Sequence, residues 1–303
     1  MNLLVTGAWR CTQEQLDRLA QLGHKLFFLQ NEQDALPLAY ESVEGVICNG
    51  LFLHHPIERF ANLRYIQLTS AGFDRVPMDY VQAHGIQIHN ARGVYSIPMA
   101  EFAISGVLQL YKQSRFFARN QERRSWEKHR GLLELYGKYV CIVGCGSVGT
   151  ECAKRFVAFG CRVTGVDLYP REDAHYSRME ALDSLDAVLP EADIVVLTLP
   201  LTEQSRHLMD KTRLASMKEG AVLVNIARGA VVDTSALADW LKEKRGAAVL
   251  DVFEEEPLET EHPLWDMENV ILTPHNSFAG EGNQERLFRR ILETLLEKGL
   301  CEI

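Results

Sequence analysis

The sequence predicts an α/β protein built on parallel β-sheets, for two reasons. Short apolar segments alternate with longer amphipathic segments along almost all of the 303 residues, which is the pattern of parallel strands joined by helices. Several of the apolar segments, such as Ile194–Thr198 and Val222–Ile226, are nearly continuous, as expected of strands that are buried on both faces of a sheet. A chain of this length makes about two domains of ordinary size.

The alternation is clearest between Lys138 and Pro274. The periodicity there predicts helices such as Val148–Phe159 and Thr234–Lys244. Six strands are expected around these helices, at Tyr139–Val143, Arg162–Val166, Ile194–Thr198, Val222–Ile226, Ala247–Asp251 and Val270–Thr273. This number of strands fits a doubly wound sheet with the strand order 3-2-1-4-5-6.

The N-terminal part of the chain repeats the pattern more weakly and predicts a smaller α/β unit. Its strands are expected at Leu3–Thr6, Leu26–Leu29, Gly45–Cys48, Tyr65–Leu68 and Ile86–His89. A helix at Ser96–Tyr111 is expected to bridge the two units, and a helix at Asn283–Lys298, ended by Gly299, to pack back onto the first. The apolar face of that last helix consists of Leu287, Ile291, Leu295 and Leu296.

Composition and charge argue against several classes of function. Lysine and arginine total 32 against 41 aspartate and glutamate, so the net charge is −9, and such a chain lacks the positive field that drives nucleic-acid binding. The seven cysteines are odd in number and form no CxxC pair, which favours reduced thiols over disulfides or a metal site. We find neither a signal peptide nor an apolar segment of the roughly 18 residues that span a bilayer. A cytoplasmic protein that does not bind membranes is therefore expected.

The most informative local motif is a glycine-rich loop of the form GxGxxG. It follows the predicted strand Tyr139–Val143 and opens a predicted helix, the context in which such a loop binds a dinucleotide. The first glycine permits a tight turn, the second a close approach to a pyrophosphate, and the third close packing of helix on strand. Exposed N–H groups at the start of the helix bind the anion. The predicted cofactor loop consists of Gly144, Cys145, Gly146, Ser147, Val148 and Gly149.

An acidic residue follows at the distance that such a site requires. Asp167 comes directly after the second predicted strand, 18 residues after Gly149, close to the spacing of about 20 expected for a carboxylate that binds the adenosine ribose. Because an anionic side chain there repels a 2′-phosphate, the sequence favours NAD over NADP as the cofactor. The alternative is that the glycine-rich loop is only a structural turn and that Asp167 follows it by chance.

Three chemically apt residues follow the last three predicted strands, whose carboxyl ends meet at the edge where ligands bind in open α/β sheets. Arg228 can clamp a substrate carboxylate with its planar guanidinium and polarise the adjacent carbonyl. His275 can exchange the proton that accompanies hydride transfer, and Glu256 can orient the imidazole. Asp251, at the end of its strand, can accept a hydrogen bond from a nicotinamide amide.

These residues also have structural alternatives. An arginine after a buried strand is often a surface ion pair, and the acidic run Glu254–Glu256 could simply be solvated. His275 follows a proline and could cap a turn. Cys145 is an oxidation candidate at a helix start, or else an inert buried thiol.

Taken together, the motifs resemble those of the D-isomer-specific 2-hydroxyacid dehydrogenase family. The matching stretches, whose order and spacing agree, are Thr69–Asp74, Met99–Phe102, Val140–Gly149, Thr198–Thr202, Asn225–Asp233, Leu250–Leu258 and Leu272–His275. The resemblance implies a Rossmann-type doubly wound parallel sheet at 95–276 that binds NAD. It also implies a smaller flavodoxin-like α/β substrate domain at 1–94 and 277–303, with a cleft between the two.

The resemblance further implies the roles of individual residues. The implied catalytic residues are Arg228, Glu256 and His275. The substrate loop, whose N–H groups hold the substrate carboxylate, consists of Ser70, Ala71 and Gly72. Cofactor contacts beside the glycine loop are expected at Asp167, Leu199, Ala227 and Asp251. Family members usually dimerise through the cofactor domain, so a homodimer is expected.

Two departures from the family pattern bear on the substrate. His275 is followed by Asn276–Gly280, where the family usually has a glycine-rich turn, and Thr198 stands where many relatives carry histidine. The bulkier segment after His275 is expected to reshape the pocket or the hinge. The loop Asn49–His55 is a candidate wall for the substrate side chain. Its Leu51 and Phe52 favour an apolar or small group unless they pack the small domain, and without lysine or arginine the loop disfavours a phosphate.

These observations favour an NAD-dependent enzyme that interconverts small 2-oxo and 2-hydroxy acids. A second hypothesis is a module on the same fold that senses NAD(H) and recruits a protein partner, as corepressor-like relatives do. A third is a formate or phosphite oxidoreductase, which Glu256 disfavours because formate enzymes pair glutamine with histidine.

Overall fold

The computed structural model describes residues 1–243 and 245–297, and these form two compact units. One unit consists of residues 1–95 and 280–297, and the other of Ser96–Ala279. The boundary near the C-terminus lies slightly later than the predicted one at 277. The reason is that the N–H groups of Asn276 and Ser277 donate hydrogen bonds to Asp251, which hold these residues in the larger unit.

The smaller unit is a parallel sheet covered by helices. Its strands are β1 (Asn2–Thr6), β2 (Lys25–Leu29), β3 (Gly45–Cys48), β4 (Tyr65–Leu68) and β5 (Gln87–His89), and its first two helices are α1 (Gln13–Gln21) and α2 (Met78–Ala83). The strand order is β2-β1-β3-β4-β5, the flavodoxin-like order. Helix α1 begins at a capping box, in which Thr12 and Gln15 each accept a hydrogen bond from the other's backbone N–H.

The larger unit is a doubly wound parallel sheet. Its helices are α3 (Ser96–Tyr111), α4 (Ser114–Arg123), α5 (Ser147–Ala158), α6 (Leu185–Val188), α7 (Lys211–Ser216) and α8 (Thr234–Lys242). Its strands are β6 (Tyr139–Val143), β7 (Arg162–Asp167), β8 (Arg178–Ala181), β9 (Ile194–Leu197), β10 (Ala221–Asn225), β11 (Gly246–Leu250) and β12 (Val270–Leu272). The order β12-β11-β10-β9-β6-β7-β8 confirms the predicted Rossmann-type sheet with one strand more than expected.

The additional strand, β8, corrects the predicted position of Ile194–Leu197. Counting six strands would place that segment third in the chain and hence at the edge of the sheet. In the structure β8 occupies that edge, and β9 pairs with both β6 and β10 in the middle of the sheet. Because β8 consists of Arg178, Met179, Glu180 and Ala181, all at least partly exposed, it lacks the apolar run that marks the central strands.

Side chains of the larger sheet alternate between two apolar cores, one on each face. Val143, Leu197 and Leu250 belong to one core, whereas Ile142 and Val249 belong to the other. All five are at most 2% exposed. The nearly continuous apolar runs in the sequence follow directly from this burial on both faces.

The two helices at the borders of the larger unit belong to different units. Helix α3 packs against α5 and against β10, β11 and β12, so it is part of the larger unit. Helix α9 (Asn283–Glu297) returns to the smaller unit, where Leu287, Ile291 and Leu295 are buried. Leu296, predicted for the same face, is instead 51% exposed. The predicted helix ends at Lys244, Lys298 and Gly299 lie outside the described residues. No helix within the described ranges has both the length and the apolarity to cross a membrane.

Candidate active site

The carboxyl ends of three adjacent strands lie side by side at one edge of the larger sheet. The register pairs Asn225 with Leu250 and Leu250 with Leu272, so that β10, β11 and β12 end together. Arg228, Glu256 and His275 lie in the loops that leave these ends. The structure therefore brings the three predicted catalytic residues to a single edge.

His275 and Glu256 form a hydrogen-bonded pair. The distance between His275 Nδ1 and Glu256 Oε2 is 2.9 Å, and the second carboxylate oxygen accepts a hydrogen bond from the Phe253 N–H at 3.0 Å. Since the carboxylate accepts, Nδ1 carries the proton and Nε2 is the ring atom that can exchange one. The side chains are 44% and 37% exposed, so both are within reach of a ligand.

The backbone of His275 has a conformation that few residues other than glycine adopt. Its φ angle is 49°, a conformation that costs such a residue about 1–3 kcal/mol. Its N–H donates to the carbonyl oxygen of Asp251 at 2.7 Å and to that of Thr273 at 3.1 Å. These contacts offset the unfavourable conformation and direct the ring towards Glu256.

Asp251 organises the turn that carries His275. Its side chain is fully buried and accepts hydrogen bonds from the hydroxyl of Thr273 and from the N–H groups of Asn276 and Ser277, at 2.7, 2.8 and 2.9 Å. Donors on both sides of His275 therefore converge on one carboxylate. These contacts, which the sequence analysis missed, use three of the roughly four acceptor positions that a carboxylate has.

Arg228 is held by a buried amide that the sequence analysis also missed. Asn225, 1% exposed at the end of β10, donates from Nδ2 to the Arg228 carbonyl at 3.0 Å and accepts from the Ala227 N–H at 3.1 Å. Arg228 Nη1 in turn donates to the Ala227 carbonyl at 2.7 Å. In the sequence, this role is indicated by Asn225 itself, an amide at the end of an otherwise apolar strand.

The loop that carries Arg228 lies directly against the loop that carries Glu256. A Cβ atom added to Gly229 would lie 1.8 Å from the carbonyl carbon of Phe253, far inside contact distance. Glycine is therefore required for the two loops to approach, and this contact couples the position of Arg228 to that of the His275–Glu256 pair.

The acidic run Glu254–Glu256 is more than a solvated surface. Glu254 accepts a hydrogen bond from His207 Nε2 at 2.8 Å and another from the N–H of Thr234 at 2.8 Å. Burial alone would raise the pKa of Glu254, but these two partners lower it below its usual value. Glu256 pairs with His275, whereas Glu255 forms no hydrogen bond or ion pair with any residue that the structure describes.

The unusual segment after His275 places an aromatic ring beside the imidazole. The ring centroids of Phe278 and His275 are 6.3 Å apart with an interplanar angle of 78°, an edge-to-face arrangement. Phe278 is 44% exposed. The bulkier side chain thus narrows the surroundings of His275 and leaves its pairing with Glu256 intact.

The glycine-rich loop has the geometry of an anion cradle. Gly144 has a φ of 95°, and a Cβ there would be 2.6 Å from the Leu199 nitrogen. A Cβ on Gly149 would be 2.2 Å from the Gly144 carbonyl oxygen, whereas one on Gly146 would meet nothing within 4 Å. The first and third glycines therefore allow close packing, and the second leaves open space where a pyrophosphate can approach the N–H groups that begin α5.

Asp167 lies beside this cradle at the end of β7. Its Oδ2 accepts a hydrogen bond from the Cys145 N–H at 2.7 Å and its Oδ1 one from the Tyr169 N–H at 3.0 Å. About two of the four acceptor positions of the carboxylate remain for ribose hydroxyls. The residues of loop and strand therefore fit a dinucleotide.

The Cys145 side chain is an inert filler rather than a reactive thiol. The side chain is 6% exposed, and burial raises the pKa of the thiol to about 12. Near neutral pH the reactive thiolate is therefore scarce. Cys145 contributes to the loop through its backbone N–H, which fixes Asp167.

The predicted substrate loop lies at the carboxyl edge of the smaller sheet, after β4. Asn90 Nδ2 donates to the Ala71 carbonyl at 2.6 Å, and Ser70 Oγ donates to the Gly72 carbonyl at 3.1 Å. Among the described residues, none accepts a hydrogen bond from the N–H groups of Ala71 and Gly72. The carbonyl groups are thus fixed while two adjacent donors stay available for an anion.

The candidate wall of the substrate pocket differs from the prediction. Leu51 and Phe52 are 0% and 9% exposed and belong to the core of the smaller unit, so they pack the domain. Leu53, the next residue, is 62% exposed. Arg75, in the loop after β4, approaches Gly50. A cation therefore lies near the loop Asn49–His55, so the absence of lysine and arginine within that loop no longer argues against an anionic substrate.

Comparisons with known proteins agree with this geometry. The family model of the D-isomer specific 2-hydroxyacid dehydrogenase NAD-binding domain matches residues 104–277. The chain is 36% identical to a D-3-phosphoglycerate dehydrogenase of Methanocaldococcus jannaschii, over 76% of this chain but only 44% of that relative. It is 37% identical to a glyoxylate reductase of Thermofilum pendens, over 75% of this chain and 69% of the relative.

A solved structure extends the similarity to nearly the full length. It is a D-isomer specific 2-hydroxyacid dehydrogenase from Xanthobacter autotrophicus Py2, in complex with NADPH and MES. The TM-score is 0.80 at 28% sequence identity, and the alignment covers 98% of this chain and 95% of that one. The fold of both units is therefore that of a known group of oxidoreductases.

Proposed function

Because the chain belongs to the D-isomer specific 2-hydroxyacid dehydrogenase family, we propose that it transfers hydride between NAD(H) and a small 2-oxo or 2-hydroxy acid. The family makes it an NAD-binding oxidoreductase that acts on CH–OH groups. The observation that carries the proposal is the 2.9 Å hydrogen bond between His275 and Glu256, at the sheet edge that also presents Arg228.

The proposed roles follow from the chemistry of carbonyl reduction. Bound NADH supplies the hydride for the carbonyl carbon. His275, oriented by Glu256, donates a proton from Nε2 to the carbonyl oxygen, and it accepts that proton in the reverse reaction. Arg228 binds the substrate carboxylate and polarises the carbonyl. The N–H groups of Ala71 and Gly72, next to Ser70, are further proposed donors to the substrate carboxylate.

The cofactor would be held by the loop at Gly144–Gly149 and by Asp167. The N–H groups around Gly146, Ser147 and Val148 begin helix α5 and would bind the pyrophosphate. The backbone at Leu199 and Ala227 and the end of β11 at Asp251 are the proposed contacts on the nicotinamide side. The carboxylate of Asp167 repels a 2′-phosphate, so we propose a preference for NAD over NADP.

A substrate panel with both cofactors tests the function. Mixing the protein with NADH and glyoxylate, pyruvate, hydroxypyruvate or a branched 2-oxo acid is expected to give steady turnover, measured as loss of NADH absorbance. NADPH is expected to support a kcat/KM at least about 10-fold lower, because the adverse charge of Asp167 costs more than about 1.4 kcal/mol. Asp167→Asn should narrow that difference.

Two outcomes of this panel would contradict the proposal. NADH binding without turnover of any 2-oxo acid favours the NAD(H)-sensing, corepressor-like module. Preference for NADPH in the wild-type protein removes the role of Asp167.

We also propose that the protein is a cytoplasmic homodimer joined through its larger unit. The segment between α4 and β6 exposes large apolar side chains, with Trp126 96%, Tyr136 80% and Leu133 47% exposed, which is typical of an interaction surface. The same segment carries Arg124, Lys128 and Arg130, opposite in sign to the chain's net charge of −9. A second copy of this chain, with its net negative charge, is therefore the proposed partner for this basic, apolar segment.

Light scattering is expected to give twice the mass of 34.3 kDa. The variant Trp126→Ser should raise the dimer dissociation constant at least about 10-fold, because aromatic anchors contribute most at interfaces. Trp265→Ser, a change at a residue that is 51% exposed elsewhere in the same unit, is the control. A monomeric wild-type protein, or equal effects of both variants, would contradict the interface.

Recovery of the native protein in a membrane fraction would contradict the proposed cytoplasmic location.

A further inference from the structure

The side chain of Arg75 lies beside the candidate wall of the substrate pocket. A Cβ atom built on Gly50 would be 3.7 Å from Cδ of Arg75, so the arginine stem contacts the loop after β3. The register pairs Cys48 with Leu68, so that β3 and β4 end side by side. Two loops that are separate in the sequence thus meet at the carboxyl edge of the smaller sheet.

The charge of Arg75 is not neutralised within the described part of the chain. Arg75 is exposed, and it forms no ion pair or hydrogen bond with any described residue. The carboxylate nearest to Gly50 belongs to Glu32, and its oxygens accept hydrogen bonds from the N–H groups of Asn49 and Gly50 and from the Thr6 hydroxyl, at 2.7, 2.6 and 2.8 Å. Glu32 therefore fixes the loop, and the guanidinium stays available to a ligand.

The N–H groups proposed to bind the substrate carboxylate lie on the same edge. Ala71 and Gly72 precede Arg75 in one loop, and adjacent strands are about 4.8 Å apart. A 2-oxo acid whose 1-carboxylate binds to these N–H groups therefore lies about one strand spacing from the loop after β3, a distance that its side chain can span. A planar guanidinium at that place suits a carboxylate, phosphate or sulfonate better than an alkyl group.

We propose that Arg75 is a specificity-determining residue that binds a second anionic group, carried by the side chain of the 2-oxo acid substrate. This inference rests on the proposed function. It replaces the expectation of an apolar or small side chain, which depended on Leu51 and Phe52 lining the pocket. Since Arg75 is remote from the reacting carbonyl, it acts on KM more than on kcat.

Matched substrate pairs test the inference. Oxaloacetate and 4-methyl-2-oxopentanoate have side chains with the same number of heavy atoms and the same branching, but only the first has a second charge. 3-Phosphohydroxypyruvate with hydroxypyruvate, and 3-sulfopyruvate with pyruvate, test the phosphate and the sulfonate. The wild-type protein is expected to have a kcat/KM about 10- to 100-fold higher for the anionic member of at least one pair, as for a charge-assisted hydrogen bond.

Substitution assigns the preference to Arg75. In Arg75→Gln the advantage of the anionic substrate is expected to disappear through a higher KM, while kcat/KM for the uncharged member changes less than about threefold. Arg75→Lys should keep part of the preference for the anionic substrate, because it keeps the positive charge. The control is Arg64→Gln, the same change in charge just before β4, at the opposite edge of the sheet, where Arg64 pairs with Glu44 at 3.0 Å.

The outcomes separate this inference from the proposed function. If no 2-oxo acid is reduced, the proposed function fails. If uncharged substrates are reduced but no anionic member is preferred, or if Arg75→Gln lowers both members of a pair equally, the function stands and the role of Arg75 is wrong. An equal effect of Arg64→Gln would also overturn the assignment.

Discussion

Replacing His275 by alanine is expected to lower kcat for the reduction of 2-oxo acids by about 10²- to 10⁴-fold, the usual contribution of a positioned general acid. The carbonyl oxygen gains negative charge as hydride arrives, and without the imidazole only water can protonate it. NADH binding, measured by fluorescence titration, should change less than about threefold because the cradle at Gly144–Gly149 is untouched. Stopped-flow or steady-state assays at saturating NADH give the loss in kcat.

The structure offers a closely matched control for this variant. His175 Nδ1 lies 2.8 Å from a carboxylate oxygen of Asp173, and its side chain is 40% exposed, much like His275. The pair lies between β7 and β8, away from the ends of β10–β12. His175→Ala is expected to leave kcat unchanged. If His275→Ala keeps more than a third of the activity, or if His175→Ala loses as much, His275 is not the proton donor.

Glu256 should have a smaller effect of the same kind. Glu256→Gln keeps the size of the side chain and can still contact Nδ1, but it removes the charge that stabilises an imidazolium. A loss in kcat clearly smaller than that of His275→Ala, with unchanged NADH binding, would agree with an orienting role. A larger loss would indicate that Glu256 takes part in the chemistry directly.

Most of the fold could be predicted because the strands of a doubly buried sheet are apolar runs. Each predicted strand is found with its ends within one residue of the expected positions. The strand that escaped prediction, β8, is polar and lies at the edge of the sheet, where only one neighbour holds it. Because β8 was not predicted, β9 was placed at the edge of the sheet instead of in its middle. The predicted strand order depends on how many strands precede a segment and not on the segment's own residues.

The candidate site could be predicted as far as it depends on strand ends. Arg228, Glu256 and His275 follow three consecutive strands, and parallel strands end at a common edge. The contacts that hold them could not be predicted, because Asp251 receives donors from residues 25 and 26 positions later in the chain. For the same reason the sequence alone did not reveal that Arg75 reaches Gly50, or that Leu51 and Phe52 face the core.

Replacing Arg228 by glutamine is expected to lower kcat/KM for every 2-oxo acid by about 10²- to 10³-fold, the cost of losing a donor that faces developing negative charge. Both KM and kcat should change, because the guanidinium is proposed to bind the carboxylate and also to polarise the carbonyl. Steady-state kinetics over a range of substrate concentrations separates the two effects. Arg245→Gln is the control, since Arg245 also donates to a backbone carbonyl, that of Ala215 at 3.2 Å, but lies before β11 at the opposite edge.

The lysine variant at the same position distinguishes geometry from charge. Arg228→Lys keeps the positive charge but replaces a rigid planar fork, which can bind a carboxylate with two N–H groups, by a compact ammonium that lacks this bidentate geometry. If charge alone matters, Arg228→Lys should recover most of the activity lost in Arg228→Gln. We expect instead that it stays at least about 10-fold below the wild type, because Asn225 and Gly229 position the backbone for the longer, forked side chain. Full activity of the lysine variant would show that these two residues serve only the packing of the loops.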